Sequence, residues 1–561
     1  MNYQKLSNVM RNFDEVYLDD LLGDLKDVLI EWRIGESSLV LKQNKIDIVL
    51  AKYGLSLFED NKFRQNFFLA IDLKTVNICM SKIGVKTMMK HEEAAKKLSQ
   101  VRFSECDLYK YVFEFLDIEG YVFPDKKKED NIETLSVVGS KFYELYDYQY
   151  MIKQQVINDI EDSTHDLDKI LIKMPTGTGK TKTTMHIISH YINFLSKNNG
   201  LVVWIAHSDE LLKQAYDTFK SVWSHLGHFS INVYKGWAGY PETFENGILF
   251  TSIQSLLAKM EKDVFSFIDQ HSSLIIFDEV HKVGAEKYSE CIKRLTEREY
   301  GYHKKFIGLT ATPGRTTEYS RNNSDFRREF NRIVEIEPDK VIRISHTENE
   351  SNNYNGSKEV IPYLQDRGVL SKIKRELLDF SVDAGIKASI EKELRAKREE
   401  FSDELLEKIS KNKARNKKII EKLKYLNENN IPTIVFACSI VHAQMISAFL
   451  KLIDIENSLV YGDLDKFTRA KAISDFKDGK VNIIINYDIL TTGFDSTNIK
   501  CVFITRPTKS VILYSQMIGR GLRGPRMGGN KECLLIDVQE NLSSYNENSA
   551  FKHFDAYWKN I

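Results

Sequence analysis

The chain reads as an α/β protein: two lobes built on parallel sheets and placed in tandem, preceded by a mainly helical domain and joined by a helical segment. Three observations carry that expectation. From about Tyr143, apolar runs alternate with amphipathic helical patterns, and a second block of the same texture starts at Ile434. A parallel sheet covered by helices on both faces has that pattern. The stretch before the first block has helical periodicity instead, and one apolar run, Leu171-Ile-Lys-Met, breaks into a glycine-rich turn, Pro175-Thr-Gly-Thr-Gly-Lys-Thr181.

A chain of 561 residues is too long for one hydrophobic core. The expected units are residues 1–135, a helical accessory domain; 136–340, the first α/β lobe; 341–430, a helical connection; and 431–561, the second lobe with a short tail. In the first unit, Glu15 to Trp32 sets Leu18, Leu21, Leu22, Leu25, Val28 and Leu29 on one helical face. The charged run Lys126-Lys-Lys-Glu-Asp130, just after Pro124, marks the break that follows. Leu201–Ala206, Gly247–Ser252, Leu274–Phe277 and Lys305–Thr310 are buried-strand candidates of the first lobe. Each ends in small or polar residues, where a doubly wound sheet presents its ligand site. Residues 341–430 are dense in Lys, Arg and Glu and carry no strand run. Ile434–Ala437, Val481–Ile485, Cys501–Ile504 and Cys533–Ile536 then supply the strands of the second lobe.

Composition narrows the classes. Formal net charge is zero, so binding to nucleic acid requires a local basic groove, not a generally basic protein. The six cysteines are scattered without a C-x-x-C pair, which argues against a zinc ribbon or a disulfide framework and fits a reducing cytoplasm. No apolar run reaches a bilayer-spanning length, and Met1-Asn-Tyr-Gln-Lys lacks the core of a signal peptide, so the expectation is a cytoplasmic protein with no membrane partner.

The glycine-rich turn carries the first chemistry. A strand that runs through Thr176, Gly177, Thr178 and Gly179 into Lys180 and Thr181, and on into a helix, is how a chain cradles phosphates. Glycines let backbone N–H groups approach the anion, and the helix aims its positive end at the same place. Lys180 would reach the β- and γ-phosphates and Thr181 would ligate Mg²⁺. The full pattern is G-x-x-x-x-G-K-[ST], and Met174 stands where its first glycine would be. Asp278-Glu-Val-His281 follows the strand Leu274–Phe277. Alone, an Asp-Glu pair after a strand is a common solvated turn. Downstream of Lys180, with strands between, it is the expected second half of the site, with Asp278 on Mg²⁺ and Glu279 on the attacking water. Ala70-Ile-Asp-Leu-Lys74 has the acid-x-Lys spacing of a nuclease metal site. It lacks a second carboxylate at a convincing upstream strand end, and an exposed Asp and Lys on a helix is the favoured reading.

The ordered set of motifs resembles a superfamily 2 helicase or translocase, in the branch shared with restriction-enzyme motor subunits (type III restriction, ResIII-like). The resemblance covers roughly residues 140–545 and implies two RecA-like lobes. Leu145-Tyr-Asp-Tyr-Gln149 resembles the adenine-reading Q motif, with Gln149 as reader and Tyr146 in place of the usual basic residue. The stretches Ala206–Ala215 and Phe250–Ser255 resemble the strand-tracking motifs of the first lobe. Asp278–His281 is a DEVH form of the DEAD/DEAH box, which implies a catalytic His281, and Thr310-Ala-Thr312 matches the coupling motif. In the second lobe, Ile434–Ser439 and Tyr461-Gly-Asp463 fit nucleic-acid-facing loops. Tyr487–Asp495 resembles motif V, which implies nucleotide contacts from Gly493 and Asp495. Gln516-Met-Ile-Gly-Arg-Gly-Leu-Arg523 resembles motif VI, which implies catalytic roles for Gln516 and for Arg520 and Arg523 as arginine fingers.

The resemblance implies ATP and Mg²⁺ held between the lobes and nucleic acid, DNA before RNA, lying across both. An ATP-driven DNA helicase or double-strand translocase is the leading expectation, with restriction, repair and phage defence as its settings. An RNA helicase stands second. The third alternative is an ATPase switch or scaffold subunit whose helical N-terminal domain binds a protein partner. Ser371–Lys424 is read either as a solvated connecting helix pair or as an arm lying along the duplex.

Overall fold

A computed structural model of the chain describes residues 3–31, 41–85, 89–102, 106–118, 130–137, 144–161, 169–195, 200–280, 286–296, 304–311, 330–344, 359–378, 384–395, 400–491, 494 and 496–538. Two sheets organise it. The first is built from β1 (Ile132–Leu135), β2 (Lys169–Lys173), β3 (Leu201–Ala206), β4 (Ile231–Lys235), β5 (Gly247–Ser252), β6 (Ser272–Phe277), β7 (Lys305–Thr310) and β8 (Arg332–Glu335). Their order is β1-β4-β5-β3-β6-β7-β2-β8. All neighbours run parallel except β1, which pairs antiparallel with β4 at the edge. The second sheet comprises β9 (Lys372–Leu378), β10 (Thr433–Phe436), β11 (Ser458–Val460), β12 (Ile483–Asn486), β13 (Cys501–Ile504) and β14 (Glu532–Val538). It is wholly parallel in the order β11-β12-β10-β13-β14-β9. The expected fold is therefore present: two RecA-like lobes in tandem behind a helical N-terminus.

Every residue of β3, β10, β12 and β13 is buried, as continuous Val/Ile/Leu-rich runs require when helices cover both faces. Strand β9 is the addition to the expected layout, since residues 341–430 carry no strand run in sequence. Its segment, Lys-Ile-Lys-Arg-Glu-Leu-Leu, places charged side chains at an exposed sheet edge, and such an edge need not look apolar. It pairs with the whole of β14. Strand β1 likewise falls within residues 1–135 but belongs to the first sheet. Among the described connecting residues, helices run at Pro338–Ile344, Val360–Asp366, Ala384–Arg395, Asp403–Ser410 and Lys413–Glu428. The last of these helices buries Ile419, Leu423 and Leu426 in the core of the second lobe. It is a packed part of that lobe, neither a solvated pair nor a free arm.

The N-terminal domain is a set of short helices closed over an aromatic cluster, with Phe58 edge-on to Phe63, Phe67, Tyr109 and Phe113. The expected continuous face from Glu15 to Trp32 is divided. Helices Glu15–Leu22 and Asp24–Glu31 meet at Gly23, whose φ of 58° ends the first of them. Asp72, of the nuclease-like spacing, caps the helix Leu73–Lys82, accepting from Thr75 N at 2.9 Å and from the Thr75 hydroxyl at 2.7 Å. Among the described residues no cluster of three or more His, Cys, Asp or Glu could hold a metal.

Although the first lobe follows it in sequence, this domain packs on the second lobe. One apolar cluster joins Ile46, Val49 and Leu50 to Met445, Phe449 and Leu459. The Thr468 hydroxyl is bonded to Tyr3 Oη at 3.1 Å and accepts from Leu55 N at 3.3 Å. Tyr461 donates to the Lys52 carbonyl. Gly54, at φ 56°, makes the approach possible, because a Cβ there would lie 2.3 Å from the Thr468 hydroxyl oxygen.

A buried polar knot fixes the connecting helices to β10. His442 is fully buried; its Nδ1 accepts from Cys438 N at 3.1 Å and its Nε2 meets Asn416 Oδ1 at 3.0 Å. Burial, with the Arg415 guanidinium adding to it, holds the imidazole pKa well below the usual value. The folded state therefore keeps His442 neutral while the unfolded chain takes up a proton below about pH 6.5. Stability from this group is complete above that pH and is lost as pH falls toward the depressed folded value. We expect the melting temperature of the wild type to drop more steeply between pH 7.5 and 5.5 than that of His442→Gln; parallel curves would refute the assignment.

A candidate nucleotide site between the two sheets

The phosphate loop leaves β2, which lies between β7 and β8 with Ile170, Leu171 and Ile172 buried. Met174 continues the ladder by one bond, donating its N–H to the Thr310 carbonyl at 3.1 Å, and its side chain is buried in the core. The position where the general pattern has glycine is thus a core position here. Beyond it the chain turns: the Thr178 hydroxyl donates to Pro175 O at 2.6 Å, and Gly177 and Gly179 take φ of 84° and 82°. Gly179 immediately precedes the helix Lys180–His190, so Thr176, Gly177 and Gly179 lie at a helix N-terminus, where backbone N–H groups favour anions. Thr181, in its first turn, is half-buried.

Gln149 supports this loop from behind. Its Nε2 donates to Thr178 O at 2.8 Å, its Oε1 accepts from Tyr146 N at 3.0 Å, and Tyr148 adds a bond to the same Thr178 carbonyl at 2.9 Å. A Cβ on residue 179 would lie 2.3 Å from Gln149 Nε2, so this contact also requires glycine. Each end of the Gln149 amide makes one bond to the protein, which braces the loop.

Across the loop, Asp278 and Glu279 follow β6. Asp278 N donates to Ile205 O at 2.8 Å, and Glu279 turns the chain with a φ of 55°. Lys180 Nζ is 2.7 Å from Glu279 Oε1 and 3.6 Å from Asp278 Oδ1, all three side chains being largely buried. Burial pushes Asp278 up to about 6, against the pull of Lys180, and the neighbouring Glu279 charge adds to the rise. For Lys180 burial works downward, but Glu279 and Asp278 together outweigh it and raise the ammonium. The lysine keeps its proton, and one ammonium does not balance two buried carboxylates. Asp278 Oδ1 is buried and, beyond its 3.6 Å approach to Lys180, has no hydrogen-bond partner among the described residues. An oxygen-lined, electron-rich corner of this kind fits a hard divalent cation such as Mg²⁺, and Asp278 and Thr181 are the residues that would hold it.

The second lobe closes over the same loop. The helix Val511–Ile518 ends in Gly519-Arg-Gly-Leu-Arg523. Gly519 lies so close to the loop that a Cβ would come within 2.5 Å of Thr176 Cγ2. A Cβ on Gly177 would sit 3.8 Å from Arg523 Cγ and 3.7 Å from Leu370 Cδ2. Arg523 therefore runs alongside the phosphate loop. Arg520 donates to Phe494 O at 2.6 Å and to Gln516 O at 3.3 Å, within its own lobe. Gln516 is buried beneath them, its Nε2 without a bond among the described residues. His281, Thr312, Gly493 and Asp495 lie outside the described residues.

Residues that sequence reading overlooked complete this wall. Arg367 forms an ion pair with Asp147, and Tyr146 Oη donates to Arg526 O at 2.7 Å. Only Tyr146, where a basic residue is usual, hinted that a cation would come from elsewhere. Along the outer ends of the strands, Ser208, Ser252 and Ser439 cap the helices after β3, β5 and β10. Arg469 of the second lobe meets Glu210 of the first at 3.5 Å.

Comparison with known proteins agrees with this layout. The family model for the res subunit of type III restriction enzymes matches residues 142–315, and that for the helicase conserved C-terminal domain matches residues 414–524. The putative ATP-dependent helicase IRC3 of Saccharomyces cerevisiae is 25% identical over 406 residues, 70% of this chain and 51% of that protein. The putative mitochondrial ATP-dependent helicase irc3 of Schizosaccharomyces pombe is 26% identical over 386 residues, 67% and 54% of the two chains. This chain thus spans about half the length of these curated relatives. Among solved structures, the ATP-dependent type ISP restriction-modification enzyme LlaBIII bound to DNA superposes with a TM-score of 0.50 at 17% identity, covering 74% of this chain and 29% of that one. That likeness speaks to the fold.

The geometry makes a prediction of its own. Lys180→Ala leaves two buried carboxylates without their cation and should destabilise the protein by about 3 kcal/mol, with Lys180→Ala/Glu279→Gln recovering part of the loss. Denaturant melts at neutral pH test this. A single variant as stable as the wild type would mean that the carboxylates are not desolvated.

Proposed function

The chain belongs to the superfamily 2 helicases, in the branch of the restriction-enzyme motor subunits, and from that premise we propose that it is an ATP-driven DNA helicase or double-strand translocase. The observation that carries the proposal is the apposition of Arg523, from one lobe, with the phosphate loop of the other. In this reading ATP lies against Thr176–Thr181, and Lys180 exchanges its carboxylate partner for phosphate oxygens. Mg²⁺, when bound through Asp278 and Thr181, supplies the positive charge that lets carboxylates and a triphosphate share one site. Glu279, released from Lys180, is then free to orient water and accept its proton. Arg523 stabilises the charge that builds on the γ-phosphoryl oxygens, a task suited to a planar, permanently charged guanidinium. Arg520 joins it on leaving Phe494 O. His281, Gln516, Gly493 and Asp495 take the roles that family membership implies, and Gln149 steadies the loop on the base side.

Because both lobes contribute, binding closes the cleft and hydrolysis reopens it. DNA would cross the capped helix ends that follow β3, β5 and β10, held through its phosphates by amides, hydroxyls and basic side chains. Such binding is sequence-tolerant and strongly salt-dependent. Membership of the restriction branch supports DNA over RNA, and restriction, repair or phage defence as the setting. The N-terminal domain, fixed to the second lobe at Thr468 and Tyr461, is proposed to travel with that lobe as part of the motor. No helix among the described residues is long and apolar enough to cross a membrane. Cys79, Cys291, Cys438, Cys501 and Cys533 are buried free thiols, which supports a reducing compartment such as the cytoplasm.

The test is ATP hydrolysis measured side by side with single-stranded, double-stranded and forked DNA and with RNA, using Lys180→Ala as the zero. DNA should stimulate turnover by roughly tenfold or more, falling as salt rises. Stimulation by RNA alone would reassign the substrate. Hydrolysis indifferent to every nucleic acid would favour a switch or scaffold subunit.

A further inference from the structure

The turn Arg367–Ser371, in the segment that joins the lobes, is built onto the backbone of Arg523. Gly524 N donates to Val369 O and Arg526 N to Gly368 O, each at 2.9 Å. Ser371 N donates to Leu522 O at 2.9 Å, and the Ser371 hydroxyl reaches the Arg523 carbonyl at 2.6 Å. Leu370 bridges Arg523 directly. Glycines allow the fit: a Cβ on residue 524 would lie 2.3 Å from Gly368 O. The finger's main chain is thus held on both sides by a turn belonging to neither motif.

The same turn has a charged anchor on the first lobe, Arg367, beside the apolar packing of Leu370 near Gly177. Arg367 pairs with the carboxylate of Asp147, donates to the Tyr363 hydroxyl at 2.6 Å, and lies over the Tyr363 ring at 5.5 Å. Tyr363 is buried, and the pair itself is only about one-fifth exposed, 19% and 23%. A guanidinium fixed by an ion pair, a hydroxyl and a ring face has one orientation and resists exchange with water. Asp147 opens the helix Asp147–Glu161, two residues before Gln149. Gln149 holds Thr178. A continuous path therefore runs from the phosphate loop through Gln149 and Asp147 to Arg367, and from its turn to Arg523.

We propose that Arg367, through its ion pair with Asp147, is a positioning residue that sets the distance of the Arg523 finger from the phosphate loop. The inference rests on the ATPase reading above. In this arrangement Arg367 acts through Arg523 and not on the reacting atoms. In its absence the turn loses its register on the first lobe, and its bonds to Leu522–Arg526 open more readily. Misplacement of a charge by about an ångström is enough to matter at a transition state.

The test uses the full chain with saturating nucleic acid. Arg367→Ala and Asp147→Ala should each lower kcat about tenfold with little change in KM for ATP or in melting temperature, and Arg367→Lys should restore part of the rate. In an Arg523→Ala background, Arg367→Ala should have no further effect, since both remove one interaction. An equal loss in that background, or a rise in KM with kcat unchanged, would overturn the proposal. Should the wild type hydrolyse no ATP under any condition, the ATPase reading fails, and hydrogen exchange decides the brace separately. Faster exchange of the Gly524 and Arg526 amides in Arg367→Ala supports it, and unchanged exchange overturns it.

Discussion

At Gly519 the second lobe lies directly on the phosphate loop of the first, against Thr176, and much of the rest of the architecture serves that approach. A side chain at 519 would hold the lobes apart, and Arg523, four residues on, would lose its place beside Gly177. The loop beneath must be equally fixed. Two left-handed glycines shape it, Gln149 and Tyr148 bond its Thr178 carbonyl, and Met174 anchors its start in the core. A single apolar cluster running from Ile172 and Tyr148 through Leu370 to Leu522 joins the lobes across the site. The electrostatics follow from the same closeness. With Lys180, Asp278 and Glu279 largely buried, each charge sees its neighbours through little water, and each depends on the others.

The helical N-terminal domain adds a constraint of a different kind. It is covalently next to the first lobe but packed on the second, with Thr468 and Tyr461 as its polar anchors and a shared apolar core behind them. In the proposed cycle, relative motion of the lobes would carry this domain as a body with the second sheet. Its anchors fall on the loop and helix start Tyr461–Thr468, beside Arg469, which crosses to Glu210 of the first lobe. The domain thus bears on the segment where the lobes meet away from the nucleotide site.

Sequence reading recovered those parts of the molecule whose physics is local. Buried parallel strands are continuous apolar runs, so β2, β3, β5, β6, β7, β10, β12, β13 and β14 were legible. The phosphate loop was too, because left-handed turns demand glycine. The Asp278–Glu279 pair became meaningful by its place after β6. What was not legible depends on distant partners. Strand β9 is charged because it lies at an edge, and nothing in Lys372–Leu378 marks its pairing with β14. The long apolar face from Leu18 to Leu29 gave no sign that Gly23 would divide it. Arg367 and Asp147 are ordinary charged residues until the fold sets them together. Arg520 and Arg523, alike in sequence, separate only in three dimensions, one bonded to Phe494 O and the other beside Gly177.

In the proposed mechanism one site is completed by two lobes, with binding made mainly by the first and turnover dependent on the second. Equilibrium ATP affinity and single-turnover hydrolysis, measured together on Arg523→Ala, test it most directly. Affinity should stay within about threefold of the wild type and hydrolysis should slow by roughly a hundredfold or more. Loss of affinity with the hydrolytic step intact would contradict the mechanism.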